Sequence, residues 1–419
     1  MAPRRVRGRN EQVRRGTLST GAAVERALAS SRVKSALAFI DADGERTTRE
    51  LIEICEIEAP PFHEDARAEY FVQRLRELGL SDVRRDTVGN VIGVRPGLSD
   101  GPTVVFSAHL DTIFPPGTDC RVRRQGPRLL APGIADDCVG LEALLAVGRA
   151  LNAGGVRTEG RIVFLATVGE EGEGNLRGVR HFFTDPATKD GVSAFISLDG
   201  PGIERVTHRA LGSRRYQVTM VGPGGHSWAD FGIVNPVHAL GRAIAKLSTY
   251  PVPVEPRTTY NVGHVCGGAS VNTIAQEAAM RVDMRSTSAE ELARLEGFLK
   301  QAVAEAAAEE NRLHAASGTH LDVRMEMIGD RPSGQTPPDA SLVRTVIEAS
   351  RALGVRAQLD CSSTDSNVPI SLGVPAVTLG GGGTSANTHS LAEWYDPTNR
   401  EVGLKRLVLI LAALVGLAE

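Results

Sequence analysis

Short apolar runs that end in an acid or a histidine constrain the fold of this chain more than any other feature. Three of them read PTVVFSAH, GRIVFLATVGEE and VSAFISLDG, and β-branched residues are frequent in each. Buried parallel strands show this pattern when they carry functional groups at their carboxyl ends. Helical patterns such as CVGLEALLAVGRALNA lie between the runs. Strands and helices that alternate in this way predict an α/β domain with a mostly parallel sheet.

A different order of elements occupies residues 213–329. The apolar pattern there reads strand, helix, strand, strand, long helix, strand, which is the order of a ferredoxin-like α+β unit. A chain of 419 residues is also long enough for two domains. We therefore predict an α/β domain built from residues 36–212 and 330–419, with the ferredoxin-like unit inserted as a lid. Residues 1–35 begin with the basic sequence MAPRRVRGRNEQVRRGT and are predicted to form a disordered tail.

Charge and composition argue against several classes of protein. The formal net charge of -3 lacks the basic excess of a dedicated nucleic-acid binder. No apolar stretch approaches the roughly 18 residues of a membrane span, and the basic N-terminus lacks the apolar core of a secretory signal. Scattered cysteines without a CxxC pair fit a reducing compartment. These features predict a cytoplasmic protein that binds neither nucleic acid nor membranes.

Acids and histidines follow the apolar runs at several places along the chain: His109 and Asp111, Asp136 and Asp137, Glu170 and Glu171, Asp199, and His389. If the strands are parallel neighbours, these side chains converge at one edge of the sheet. Carboxylates gathered there without a cation would repel one another and would be costly to desolvate. Two divalent ions would resolve that conflict, and nitrogen and oxygen ligands suit zinc, with manganese or cobalt as alternatives.

The spacing of the acids and histidines within each segment indicates which of them can bind metal and which can transfer a proton. His109 and Asp111 lie two residues apart and share a face of an extended strand, so Asp111 can accept the second ring N–H of His109. Glu170 and Glu171 are adjacent and point apart, so that one can bind metal while the other handles a proton. Each segment alone is more often a surface pair, a helix cap or a turn. Their combination favours a metal site.

The segments SAHLDT, GIADDCVG, VGEEGEGN, SLDG, GPGGHS, VNTI, VDMRS and NTHS occur in this order. Together they resemble the M20 family of metallopeptidases and deacylases over nearly the whole chain from about residue 46. The resemblance implies a zinc-exopeptidase-like α/β domain with a ferredoxin-like lid, and hydrolysis of an amide bond with two metal ions. This fold agrees with the one that the apolar patterns predict.

The resemblance also implies roles for individual residues. It implies metal ligands at five positions: Asp136 bridging both ions, His109 and Asp199 completing one site, and Glu171 and His389 completing the other. Glu170 would be the general base that activates the metal-bridging water and later protonates the leaving amine. Asp111 would orient His109, and Asp137 would hold the bridging loop.

The lid and a glycine run resemble parts of the family that contact substrate. His226 in GPGGHS would approach the active site across the interface of a homodimer formed through the lid, and would stabilise an oxyanion. Arg285 in VDMRS and Asn272 in VNTI would bind the substrate carboxylate and backbone. Gly381 and Gly382 would let the substrate backbone come close to the sheet edge. The alternatives are a loop histidine, a solvent-facing strand arginine and a flexible glycine loop.

The resemblance leaves the substrate open between a short peptide and an N-acyl amino acid. An aspartate at the position of Asp199 is commoner in aminopeptidase- and dipeptidase-like members, which favours a tripeptide aminopeptidase-like enzyme. A free substrate amine needs an acidic partner, and Glu173, Asp365 and Glu393 are the candidates. The rival hypotheses are a deacylase of N-acyl amino acids and a catalytically inactive binding or scaffold protein on the same fold.

Overall fold

The computed structural model describes residues 19–185 and 191–418. Within these ranges the helices, numbered in chain order, are α1 (Thr20–Ala29), α2 (Ser31–Ala42), α3 (Gly44–Cys55), α4 (Asp65–Glu77), α5 (Cys138–Ala153), α6 (Arg177–Thr184), α7 (Pro236–Leu247), α8 (Ala289–Leu313), α9 (Ser341–Ala352), α10 (Asn367–Ser371) and α11 (Arg400–Val415). The strands are β1 (Ser81–Arg85), β2 (Val91–Arg95), β3 (Thr103–His109), β4 (Arg123–Gln125), β5 (Arg128–Leu130), β6 (Arg161–Thr167), β7 (Val192–Leu198), β8 (Arg205–Ala210), β9 (Gly212–Val221), β10 (Gly225–His226), β11 (Thr258–Gly267), β12 (Thr273–Ile274), β13 (Glu277–Ser286), β14 (Asp322–Arg331), β15 (Gly334–Gln335), β16 (Gln358–Ser362), β17 (Ala376–Leu379), β18 (Thr384–Ala386) and β19 (Trp394–Asp396).

The main sheet has a parallel centre and antiparallel flanks. Its strand order is β1-β2-β6-β3-β7-β17-β8-β15, and β16 pairs with β8. The four central strands β6, β3, β7 and β17 run parallel, whereas β2 and β8 join them antiparallel. Strand β3 is buried along its whole length, as its near-continuous apolar sequence requires. A mainly parallel central sheet with helices confirms the predicted α/β class.

Helices cover both faces of this sheet. The larger core contains α5 and α11, whose buried faces carry residues such as Leu144, Leu407 and Leu411, together with one face of β3 and β6. The smaller core lies on the opposite face of the sheet. There Phe182 and Phe183 of α6 pack against the residues of β3 and β6 that point away from the larger core. Helix α5 begins directly after the acidic pair because the Asp137 carboxylate caps it by accepting the Gly140 N–H at 3.0 Å.

The lid is a separate antiparallel sheet with its own core. Its order is β11-β13-β9-β14, and all three pairings are antiparallel. Helices α7 and α8 pack on one face of this sheet around a third apolar cluster that includes Met280, Leu240 and Leu299. This is the predicted ferredoxin-like order. The strands run from Gly212 to Arg331, against a predicted insertion over 213–329.

The predicted N-terminal tail over residues 1–35 is wrong for its second half. Residues 20–35 form α1 and the start of α2, and Ser30 caps α2 by accepting the Val33 N–H. Val24, Ala27 and Val33 are buried in the larger core. Residues 20–35 have an amphipathic pattern that the sequence analysis grouped with the basic start of the chain. The apolar side of α1 packs against α11. Residues 1–18 lie outside the described residues.

Among the described helices, none combines the length and the hydropathy that crossing a lipid bilayer requires.

Changing Val24 to aspartate should destabilise the protein, because Val24 is 2% exposed in the larger core. Placing a carboxylate there should lower the free energy of unfolding by about 3 kcal/mol. Urea unfolding of purified protein measures the effect. The control is Glu25→Ala, since Glu25 is exposed on the same helix and should change stability by less than about 0.5 kcal/mol. Equal stability of V24D and wild type would contradict the placement of α1 in the core.

Candidate active site

The acids and histidines predicted from the strand ends lie together in the structure. Strand β3 ends at His109, and its parallel neighbours β6 and β7 end shortly before Glu170 and Asp199. Their carboxyl ends meet at one edge of the sheet. Asp136 comes to the same edge from the turn before α5, and His389 comes from the connection between β18 and β19.

Asp136 lies between two imidazoles. Its Oδ1 is 3.0 Å from His109 Nε2, and its Oδ2 is 3.0 Å from His389 Nε2. His389 Nε2 is also 2.7 Å from Glu171 Oε1. Three overlapping groups have ligand atoms within 4.8 Å of one another: His109, Asp136 and Asp199; His109, Glu170 and Glu171; and Asp136, Glu171 and His389. The first and third groups share Asp136, as a bridging ligand requires.

The acids and histidines of this cluster shift one another's pKa values. Burial and the nearby charge of Asp136 raise the pKa of Asp199 to about 7. Burial also opposes ionisation of Asp136, but hydrogen bonds from His109 and His389 outweigh it and hold the pKa of Asp136 below its usual range. The hydrogen bonds to Asp136 and Glu171 raise the pKa of His389 to about 10. Protonated histidines therefore offset the negative charge of Asp136, and divalent cations could take this role.

The carboxylate of Asp111 does not have the predicted partner. His109 Nδ1 lies 3.0 Å from the backbone carbonyl of Asp111, but 3.7 Å from its carboxylate. The carbonyl can only accept a hydrogen bond, so it keeps a proton on Nδ1 and leaves Nε2 facing Asp136. The Asp111 carboxylate instead accepts the backbone N–H groups of Glu170 at 3.0 Å and Glu171 at 2.8 Å. Asp111 thus links His109 to the loop of the two glutamates.

Two further carboxylates hold the loop that carries Asp136. Asp137, joined to Asp136 by a cis peptide bond, accepts the N–H of His109 at 3.2 Å and the N–H of Gly200 at 2.9 Å. Glu393 accepts the backbone N–H groups of three loop residues: Gly133 at 3.1 Å, Ala135 at 2.8 Å and Asp136 at 3.1 Å. Glu393 follows His389 by four residues. The same segment therefore supplies the imidazole that contacts the Asp136 carboxylate and the carboxylate that holds the Asp136 loop.

Arg331 is a site residue that the sequence analysis missed. It is the last residue of lid strand β14, and its Nη1 lies 3.0 Å from Glu170 Oε1. Its Nη2 donates to the Glu170 backbone carbonyl. Burial raises the pKa of Glu170 well above its usual value, although the Arg331 charge opposes this. No local motif marks Arg331, and the only available signal was its place where the lid returns to the α/β domain.

A cavity of about 520 Å³ opens beside the cluster. Arginines are the main charged residues of its wall beyond the cluster: Arg205, Arg215, Arg285 and Arg331. Arg285 therefore faces the cavity, and its predicted role in binding the substrate carboxylate stays a prediction. Arg205 and Arg215 were not predicted, because an arginine on a strand looks the same in sequence whether it faces solvent or a cavity.

The other predicted substrate residues lie elsewhere in this chain. His226 ends β10 and Asn272 directly precedes β12, and both residues are exposed on the lid and do not line the cavity. Gly381 and Gly382 are buried, and their missing side chains leave room for Val139 and for the backbone of α11. A Cβ atom on Gly382 would lie 2.5 Å from the backbone oxygen of Arg400. Gly381 and Gly382 thus serve packing, which contradicts the prediction that they contact substrate.

None of the three acids considered as partners for a substrate amine lines the cavity. Glu173 is 77% exposed and lies 3.8 Å from Arg281. Asp365 is buried and accepts the Thr167 hydroxyl at 2.5 Å. Glu393 is occupied by the backbone of the Asp136 loop.

Changing Glu393 to alanine should weaken metal binding, because three backbone N–H groups of the Asp136 loop lose their acceptor. We expect the affinity for zinc to fall by roughly 10- to 100-fold, measured by titration against a competing chelator. Leu391→Ala is the control, since Leu391 is 74% exposed on the same segment. An unchanged zinc affinity in folded E393A would show that the loop holds its position without Glu393.

Comparison with known proteins agrees with this geometry and with the predicted M20 resemblance. The family model of peptidase family M20/M25/M40 matches residues 105–413. The YqjE protein of Bacillus subtilis (strain 168) is 24% identical over 352 residues, which cover 80% of this chain and 89% of that protein. The aminopeptidase PepT from Bacillus cereus superposes with a TM-score of 0.72 at 22% identity, covering 89% of this chain and 99% of PepT. YXEP of Bacillus subtilis, described as a dinuclear metal-binding peptidase, superposes with a TM-score of 0.63 at 17% identity, covering 90% of this chain and 99% of YXEP. The chain therefore belongs to peptidase family M20/M25/M40 and is an enzyme of the M20 type.

Proposed function

We propose that this enzyme is a di-metal hydrolase that cleaves an amide bond in short peptides, in the manner of an aminopeptidase or dipeptidase. The observation that carries the proposal is the Asp136 carboxylate, which lies 3.0 Å from the Nε2 atoms of both His109 and His389. A carboxylate with one imidazole on each oxygen has the arrangement of a ligand that bridges two cations. The similarity to PepT, which is described as an aminopeptidase, supports a peptide as the substrate.

The ligands divide into two sets around Asp136. His109 and Asp199 would hold one ion, and Glu171 and His389 would hold the other. The nitrogen and oxygen donors fit zinc, with cobalt or manganese as alternatives. When bound, the two cations would polarise the substrate carbonyl and lower the pKa of the attacking water molecule.

Glu170 is the proposed base and acid. It would accept a proton from the attacking water and deliver it to the nitrogen as the carbon–nitrogen bond breaks, leaving a carboxylate and an amine. Asp111 holds the Glu170 backbone N–H at 3.0 Å, and Arg331 holds one of its carboxylate oxygens at 3.0 Å. The other carboxylate oxygen has no hydrogen bond to the described residues and would be the one that exchanges the proton.

A second copy of the chain would complete the site. His226 and Asn272 lie outside the cavity of their own chain, whereas an oxyanion donor must reach the reacting carbonyl. Next to His226 the side chains of Trp228 and Phe231 are 88% and 87% exposed. Large apolar side chains exposed together favour contact with another protein surface. We propose a homodimer through the lid in which each chain supplies His226 to its partner.

Deacylation of N-acyl amino acids is a second candidate. The carboxylates that line the cavity, among the described residues, are the proposed ligands Asp136, Glu171 and Asp199 together with Glu170. An unblocked amine would therefore have to share one of these acids. An acylated amine needs no acidic partner, which favours a blocked substrate.

Changing Glu170 to alanine should abolish turnover of a tripeptide series and of N-acetyl and N-succinyl amino acids, and should leave metal content unchanged. The physical reason is that Glu170 would carry a proton and would not bind an ion. Elemental analysis of zinc-loaded protein and product detection by mass spectrometry measure the two outcomes. Glu173→Ala is the control, because Glu173 is 77% exposed on the same loop.

Other outcomes of these assays separate the alternatives. Loss of metal from E170A would reverse the roles of Glu170 and Glu171, in keeping with the group of His109, Glu170 and Glu171. Cleavage of blocked compounds alone by the wild type would favour the deacylase. Fewer than one zinc ion per chain after loading would favour an inactive binding protein.

Changing Trp228 to aspartate should dissociate the dimer, because a charge would replace the exposed indole at the proposed interface. Light scattering during size exclusion measures the mass, and turnover should fall by roughly 10²-fold as the oxyanion donor is lost. His226→Ala should lose turnover to a similar extent and remain dimeric. Val254→Asp is the control, since Val254 is 91% exposed in another lid loop. A fully active wild-type monomer would contradict the proposal.

A further inference from the structure

The lid wall of the cavity carries two arginines that share one acid. Asp283 on β13 lies opposite Arg215 on the neighbouring strand β9, and Arg285 follows two residues later on the same face of β13. Asp283 accepts the Nε–H of Arg215 at 3.0 Å through one oxygen and the Nε–H of Arg285 at 2.7 Å through the other. Both guanidiniums are thus fixed side by side at the cavity.

The charges in this arrangement do not balance. Two guanidiniums share a single carboxylate, so the lid wall keeps one surplus positive charge. The other arginines of the cavity each have an acid of their own, since Arg205 pairs with Asp360 and Arg331 pairs with Glu170. The surplus therefore lies at Arg215 and Arg285.

The donors left on these arginines are available to a ligand. Because Asp283 takes the Nε–H of both, the terminal Nη groups are not used by it. Arg215 Nη1 donates to the Gly172 carbonyl at 3.2 Å, directly after the proposed ligand Glu171. Within the described residues, Arg215 Nη2 and both Nη atoms of Arg285 have no hydrogen-bond partner.

A substrate with one carboxylate can occupy only part of this surface. A carboxylate pairs bidentately with one guanidinium fork, so a single carboxylate on Arg285 would leave Arg215 without a substrate anion. We propose that the substrate carries a second carboxylate, bound by Arg215 beside the one bound by Arg285. This inference rests on the proposed amide hydrolysis and names its substrate class: acidic short peptides or acidic N-acyl amino acids.

Matched substrate pairs test the inference. Gly-Gly-Glu against Gly-Gly-Gln, and N-acetylglutamate against N-acetylglutamine, place the extra carboxylate on the amine side. Glu-Gly-Gly against Gln-Gly-Gly, and N-succinylalanine against N-butyrylalanine, place it on the acyl side. We expect kcat/KM for the acidic member to exceed that of its neutral partner by roughly 10- to 100-fold in one of the two arms.

Arg215→Met should remove this preference while the matched control Arg281→Met keeps it. Arg281 lies on β13, is 54% exposed and does not line the cavity. The ratio within a pair is the readout, because any disturbance of the Gly172 loop by R215M lowers kcat/KM for both members alike. Circular dichroism checks that both variants fold. Equal kcat/KM within every pair for the wild type would overturn the inference while the proposed amide hydrolysis stands.

A binding measurement covers the case in which none of these compounds is cleaved. Calorimetry on zinc-loaded wild type should show that glutarate binds roughly tenfold more tightly than butyrate. The difference should vanish in R215M and persist in R281M. Equal affinity for glutarate and butyrate in the wild type would overturn the inference whatever the reaction proves to be.

Discussion

The site depends on one carboxylate held between two imidazoles. Asp136 contacts His109 on one side and His389 on the other, at 3.0 Å in each case. These residues come from a strand end, from the turn before α5 and from a connection late in the chain. Attraction between opposite charges stabilises the contact between these segments at a partly buried edge of the sheet, and divalent cations would provide the same attraction between the acids.

Carboxylates outside the proposed set of metal ligands keep this contact in place. Asp111 joins the end of β3 to the glutamate loop, Asp137 joins α5 to β3 and to the Asp199 turn, and Glu393 joins the His389 segment to the Asp136 loop. Each accepts two or three hydrogen bonds from backbone N–H groups, so its buried charge is compensated. The same hydrogen bonds fix the loops that carry the proposed metal ligands.

Two arginines of the lid contact the loop that carries the proposed base. Arg331 ends the last lid strand and binds Glu170, while Arg215 binds the Gly172 carbonyl on the same loop. Movement of the lid would therefore change the surroundings of the proposed base. The lid wall also supplies the surplus charge at Arg215 and Arg285, so one domain would orient an acidic substrate toward ions held by the other. Substrate binding at Arg215 would thereby be coupled to the position of Glu170.

The sequence by itself determined the α/β class, the inserted lid and the segments that form the cluster, because parallel neighbouring strands bring their carboxyl ends to one edge. It did not determine the role of Glu393, which binds Asp136 from 257 residues away, nor the place of Arg331 and Arg215 in the cavity wall. It also assigned α1 to a tail and Gly382 to substrate contact. Local patterns record which face of an element is apolar, whereas the partner of a polar or small residue depends on segments distant in the chain. Only the tertiary structure decides those contacts.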